Sequence, residues 1–214
     1  FGPILSEFYG ATETRIITSI TPAEIAERKR SVGRPIRDVE LRILDERGEA
    51  VPVGKPGEIY VRGPGLFSGY HDNPAATQKN HRGDWFSLGD IGRLDADGYL
   101  YLVDRKADMI ISAGENIYPN DIEEVLLTAP GVKEAAVIGI PDPTWGELVT
   151  AIVVPAPNAA LDAETLIAHC AAQLPGYMKP RRVEFADALP RNESGKLLRR
   201  VLREPYWKGT EANI

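Results

Sequence analysis

An α+β protein in two parts is what this sequence predicts: a β-rich first portion, then a small α+β unit with a short sheet and packed helices. Three observations carry that reading. Apolar residues alternate with period two through Val39–Leu44 and Glu58–Arg62, the spacing of half-buried strands. Trp85–Leu94 and Tyr99–Val103 flank Asp95-Ala96-Asp97-Gly98, a hairpin signal with glycine where a positive φ is needed. Beyond Asp104 the texture changes to strands alternating with helices, over a length ordinary for one domain.

Taken in order, Asp45-Glu46-Arg47-Gly48 supplies the turn after the first alternating strand. Pro64–Arg82 is polar with little periodicity, and Asn73-Pro74-Ala75-Ala76-Thr77 offers the cap and first turn of one short helix. In the second portion Met109–Ser112 reads as a strand and Pro119–Leu127 as a helix with proline at its start. Lys133–Ile140 and Leu148–Val154 read as strands, Ala163–Leu174 as a helix, Arg182–Phe185 as a strand and Leu197–Arg203 as a closing helix. The boundary falls at Asp104–Ala107, where mostly charged residues separate the end of a hairpin strand from the start of an apolar one. A hinge and an ordinary surface turn fit that pattern equally.

Composition narrows the function classes. With 214 residues, 43% of them hydrophobic and 26% charged, the chain can build one or two ordinary soluble cores. A net charge of −6 with scattered lysines and arginines argues against a nucleic-acid partner, which needs a basic face. The nearest approach to one is Lys196, Arg199, Arg200 and Arg203, and the three arginines alone read as a solvated helix face. Cys170, the sole cysteine, excludes an internal disulfide and falls on an apolar helix face, so it is expected in the core. Its neighbour His169 points about 100° away around a helix and is not placed to activate it. No apolar run is long enough to cross a bilayer and no signal peptide is visible, so the expected location is cytoplasmic. The chain opens without Met, and Phe1–Leu5 reads as the middle of a sheet-and-loop region, which suggests a fragment.

Several short segments carry residue types suited to nucleotide chemistry. Tyr9-Gly10-Ala11-Thr12-Glu13-Thr14 places an aromatic face, a small residue, hydroxyls and a carboxylate close together, enough to stack a base, bond phosphate and hold Mg²⁺. The same letters open ordinary helices with Thr12 as N-cap, and pattern alone favours that. Gly89-Asp90, read at a strand start, offers a carboxylate for ribose hydroxyls, or simply an Asx-turn. Arg105 is a fixed cation with a planar fork of donors, suited to ribose or phosphate oxygens or to a surface ion pair. Ser112-Ala113-Gly114-Glu115-Asn116 reads as a tight loop between strand and helix, where Gly114 permits close backbone approach or only a turn. Lys196, entering a helix after Ser194-Gly195, can steady a developing negative charge.

The order and spacing of Tyr9–Glu13, Trp85–Asp90, Asp104–Pro119 and Pro190–Lys196 make the chain resemble the adenylate-forming acyl-CoA synthetase family, AMP-binding acyl- and aryl-CoA ligases. The similarity runs over nearly the whole chain. It implies that 1–104 is the β-rich C-terminal part of the AMP-binding N-terminal domain and that 105–214 is the mobile C-terminal domain. The family's Ser/Thr/Gly-rich phosphate loop has no counterpart here, so the resemblance also implies a missing N-terminal portion. Expected cosubstrates are ATP, Mg²⁺ and coenzyme A, with a small-molecule carboxylic acid, no nucleic acid and room for a homodimer.

By resemblance, Tyr9 packs on adenine, Gly10 beside it belongs to the cofactor-binding set, Thr12 touches phosphate, Glu13 binds the metal, and Asp90 and Arg105 hold ribose. Lys196 bridges the carboxylate and the α-phosphate as the catalytic cation, and Ser112, Gly114 and Glu115 line the thiol channel after a domain swing. The expected reaction converts a medium- or long-chain fatty acid to its acyl-adenylate and then to the CoA thioester, releasing pyrophosphate and AMP, the isolated fragment being inactive. An aryl acid, or a non-catalytic binding module from a pseudo-enzyme, is the alternative. Three positions depart from the family pattern: Ala107 where the hinge residue is usually Asp or Lys, Ala113 where glycine is frequent, and Leu88 in place of threonine before Gly-Asp.

Overall fold

The computed structural model describes residue 2 and residues 4–208; Phe1, Pro3 and everything from 209 onward, parts of the opening and closing expectations above, lie outside the described residues. The first strands are β1 (Glu7–Ala11) and β2 (Arg15–Ile20), an antiparallel hairpin. This corrects the helix expected at Thr12. Thr14, not Thr12, supplies the local side-chain bond, its Oγ1 accepting the Ala11 N–H at 3.1 Å to close the turn. Gly10 is required there, because a Cβ would stand 1.8 Å from the Arg15 carbonyl oxygen across the bulged register.

Helix α1 (Pro22–Glu27) follows, opened by a capping box in which Thr21 Oγ1 accepts from Glu24 N and Glu24 accepts from Thr21 N. Then come β3 (Ser31–Pro35), β4 (Glu40–Leu44), β5 (Gly57–Arg62), α2 (Pro74–Lys79), β6 (His81–Arg82), β7 (Trp85–Leu94) and β8 (Leu100–Arg105). The strands form an eight-stranded sheet in the order β1-β2-β3-β8-β7-β5-β4, with β6 beside β7 and every pairing antiparallel. The alternation of β4 and β5 delivers Ile43, Ile59 and Val61 to one core with Ile17, Val32 and Leu100. Asn73 caps α2 as its sequence suggests, accepting from Ala76 N at 3.0 Å.

The second portion contains β9 (Ile110–Ser112), β10 (Glu115–Ile117), α3 (Pro119–Leu127), β11 (Val132–Asp142), β12 (Gly146–Pro155), α4 (Ala163–Ala171), β13 (Arg182–Phe185) and α5 (Arg199–Trp207). Its five-stranded sheet runs β10-β9-β12-β11, with β13 parallel to β12 and the rest antiparallel. β11 and β12 read as near-continuous apolar runs because both faces are covered. Ala135, Val137, Val149, Ala151 and Val153 join Ile122 and Leu126 of α3 and Leu166 and Cys170 of α4 on one side. Ala136, Ile138, Ile140, Ile152 and Val154 meet Leu189, Leu197, Leu202 and Tyr206 on the other.

Four local expectations change. Residues Ser112–Asn116 are not a loop running into a helix: Ser112 pairs with Glu115, so Ala113-Gly114 is the two-residue turn of a hairpin. α4 stops at Ala171, short of Leu174, and α5 begins at Arg199, because Leu197 is held in a bridge with Arg191. Gly89-Asp90 lies inside β7, not at its start.

Chain contacts divide the protein into two compact units, Phe1–Ala107 and Asp108–Ile214. The division falls after residue 107 instead of 104 because Arg105 still pairs with Asp90, and Lys106 donates from its backbone to Gly89 and from Nζ to Glu58.

Candidate functional site

In the first unit the fold gathers residues far apart in sequence around one carboxylate. Asp90 and Arg105 are cross-strand partners on β7 and β8, and the Arg105 Nε lies 3.4 Å from Asp90 Oδ1. Tyr9, on β1, donates its hydroxyl to Asp90 Oδ2 at 2.6 Å. The Asp90 side chain is only 13% exposed, so these are not loosely solvated contacts. Burial, followed by the adjacent Asp90 charge and its hydrogen bond, drives the Tyr9 phenol well above its ordinary pKa, keeping it a donor.

Gly89 prepares Asp90 for this position. Its φ of +74° bends the strand, its N–H donates to Ser87 Oγ at 2.9 Å, and its carbonyl accepts Lys106 N at 2.8 Å. Ser87 donates to Glu58 Oε1 at 2.6 Å, and Lys106 Nζ reaches Glu58 Oε2 at 2.8 Å. Burial opposes ionisation of Glu58, but the bonds from Lys106 and Ser87 outweigh it and hold the carboxyl below its ordinary range. Sequence reasoning missed this support because Glu58 and Lys106 resemble any exposed strand charges.

Thr12 and Glu13 occupy the β1–β2 turn, with Thr12 exposed. Glu13 accepts the Tyr70 hydroxyl at 2.9 Å, and its carbonyl accepts Phe67 N at 2.8 Å. Tyr70, which no local pattern singles out, also lines an open cleft of about 570 Å³ with Ser68, Asn73, Thr77 and His81. Among the described residues no group of His, Cys, Asp and Glu is placed to hold a metal by itself. One carboxylate is nonetheless a normal protein contribution to a magnesium ion whose remaining oxygens come from phosphates and water.

The second unit carries the other candidates. The Ala113-Gly114 turn has φ of +52° and +83°, and Ala113 N donates to the Trp145 carbonyl at 2.8 Å, tying the turn to the start of β12. Ser112 is buried at 3% exposure, whereas Gly114 and Glu115 are exposed. A Cβ at Gly114 would meet nothing within 4 Å, so glycine is required by its backbone angle and not by packing.

Lys196 ends a tight loop. Asn192 Oδ1 accepts from Lys196 N at 2.8 Å and from Ser194 Oγ at 2.9 Å, and Arg191 Nη1 donates to the Gly195 carbonyl at 2.8 Å. Arg191 is itself fixed to Glu134 of β11 at 2.7 Å. The Lys196 side chain is exposed, so a rigid backbone presents a cation outward. The arginines after it are not one solvated face: Arg199 is 13% exposed and bound to Glu123, while Arg203 stacks 5.3 Å from the Trp207 ring centroid.

Tyr9, Asp90 and Arg105 thus form one polar cluster on a β-rich unit, a candidate site of the nucleotide-binding class, and a second unit displays a lysine loop and a glycine turn. Comparison with known proteins fits that class. The AMP-binding enzyme family model matches residues 1–71, and the model of the AMP-binding enzyme C-terminal domain matches residues 121–196. A feruloyl-CoA synthase from Amycolatopsis sp is 44% identical over 199 residues, covering 92% of this chain and 40% of that protein. A long-chain-fatty-acid–CoA ligase from Escherichia coli is 42% identical over 203 residues, covering 95% of this chain and 36% of that protein. ATP-bound MatB from Rhodopseudomonas palustris superposes with a TM-score of 0.87 at 37% identity, over 97% of this chain and 41% of that one. The chain belongs to the AMP-binding enzyme family. It spans about 40% of the length of the curated relatives it matches.

Proposed function

We propose that this chain is part of an AMP-forming acid–thiol ligase, which joins a carboxylic acid to coenzyme A at the expense of ATP. The observation that carries the reading is the convergence of Tyr9 and Arg105 on the Asp90 carboxylate. Asp90 has about four lone-pair sites, so with Tyr9 and Arg105 in place it still has capacity for two ribose hydroxyls. The Tyr9 ring packs on adenine beside Gly10, Thr12 bonds phosphate, and Glu13 holds Mg²⁺ with the nucleotide's own oxygens.

In the first half-reaction the substrate carboxylate attacks the α-phosphorus, a new O–P bond forms, and pyrophosphate leaves with the electrons of the broken bond. Lys196 lies between the two anions, lowering the charge that builds as they approach. In the second half-reaction the CoA sulfur attacks the acyl carbon, AMP departs and the thiol proton is lost. Gly114 and Glu115 line the route of the thiol, and buried Ser112 holds their turn in shape. The lysine loop and the glycine turn both belong to the second unit, so one unit supplies a separate positioning element for each half-reaction.

A medium- or long-chain fatty acid is the favoured acyl substrate. An aryl acid is the second reading, supported by the 44% identity to a feruloyl-CoA synthase. AMP release from the full-length protein, followed with and without CoA over a panel of both acid classes, separates them. The ligase reading itself is tested by Lys196→Ala in the full-length protein. ATP–pyrophosphate exchange should fall roughly 100-fold or more, while thioester formation from supplied acyl-adenylate persists. Exchange at the wild-type rate would remove Lys196 from the mechanism.

A further inference from the structure

We propose that Arg199 is a positioning residue for adenylation, fixing the Lys196 loop to the first residue of the second unit; this rests on the reading of Lys196 given above. Arg199 opens α5 immediately after that loop. Its Nη2 lies 2.7 Å from Glu123 Oε2 and 2.9 Å from Asn120 Oδ1, both on α3, and its Nη1 lies 3.4 Å from Asp108 Oδ2. Glu123 is in turn 11% exposed, and its Oε1 accepts Val137 N of β11 at 2.7 Å. One guanidinium therefore ties α5, α3, the long central hairpin and Asp108 together.

Stability alone does not explain such an arrangement. Burying an ion pair costs about as much desolvation as it returns in attraction, and an apolar side chain of similar volume often does as well. What a forked, five-donor cation adds is direction: it fixes where its backbone stands relative to several partners at once. The two ends of the lysine loop are held in this way, Arg191 at the start through Glu134 and Arg199 at the finish through Glu123 and Asp108. Asp108 begins the second unit, so Lys196 keeps a fixed place with respect to the point where the chain enters that unit. The Ala113-Gly114 turn is held independently, by Trp145 and by pairing of β9 with β12. Loss of Arg199 should therefore disturb the lysine and spare the turn.

The test uses Arg199→Met and Arg199→Lys in the full-length protein, with both half-reactions measured separately. In Arg199→Met, kcat for ATP–pyrophosphate exchange should drop roughly 100-fold with KM for ATP little changed, the penalty of misplacing a group by about 1 Å. Thioester formation from supplied acyl-adenylate should stay within about threefold of wild type. Arg199→Lys retains the charge but loses the fork, and should recover only part of the exchange rate; it carries the test if the methionine variant does not fold. Equal loss in both half-reactions, or wild-type exchange in a folded variant, would overturn the assignment. Wild-type exchange in Lys196→Ala would overturn it together with the reading beneath it, whereas normal behaviour of the Arg199 variants beside a dead Lys196→Ala would overturn it alone.

Discussion

Ala113 is one of six described non-glycine residues at positive φ. It occupies the first position of a two-residue hairpin turn at φ +52°, where glycine, asparagine or aspartate is usual and an L-alanine costs about 1 kcal/mol. Ala113→Gly should therefore stabilise the protein, by less than about 1 kcal/mol once the extra freedom of glycine in the unfolded chain is counted. Urea unfolding of the two forms decides it, and a lower midpoint for the glycine variant would mean that the methyl makes a contact worth more than the strain. Asp90 shows the opposite economy. Its neighbour Gly89 takes φ +74° without penalty, and the carboxylate is gripped from two strands. Single letters revealed Asp90 and Arg105 as candidates but not their pairing, which depends on the register of β7 against β8.

Among the elements, the β11–β12 hairpin holds a carboxylate that is poorly served. Among the described residues, Glu147 Oε1 accepts a long 3.4 Å bond from Ile111 N, Oε2 has no hydrogen-bond partner, and Gly139 leaves just enough space for it. Burial raises its pKa, opposed more weakly by that bond and by the charge of Arg203. A carboxyl whose folded pKa exceeds its unfolded one favours folding fully only below the unfolded value, and the contribution disappears as pH rises through the folded value. Glu147→Gln should therefore be more stable than wild type near about pH 7, with the advantage shrinking as the pH falls toward about 4. Midpoints of both proteins at the two pH values check this; an advantage that grows with acid would reverse the sign. Elements defined by period or punctuation were legible in the sequence: α3 from its leading proline, and β4, β5 and the short β13 from alternation. The β1–β2 hairpin was not, because Tyr9–Thr14 lacks alternation and its turn is closed by Thr14 and a close backbone approach at Gly10. α5 was misplaced at its start for a similar reason: the Arg191–Leu197 bridge delays the helix, and a bridge is not a local signal.

At the scale of the molecule, the second unit has its own closed core, with α3 and α4 covering one face of its sheet and α5 the other. Residues 108–208 expressed alone should fold, giving one cooperative thermal transition with native-like near-ultraviolet dichroism. A broad, non-cooperative melt would show that the unit depends on the rest of the chain. The candidate residues follow the same division, with Asp90 in the first unit and Lys196 and Gly114 in the second. No helix of the described residues is long and apolar enough to cross a membrane. Cys170, finally, is wholly enclosed against α3 and the sheet, and burial pushes its thiol up to about 11. The only sulfhydryl in these 214 residues should thus be silent toward colorimetric disulfide reagents in the folded state, so this region should add no background to a thiol assay of the proposed ligase reaction.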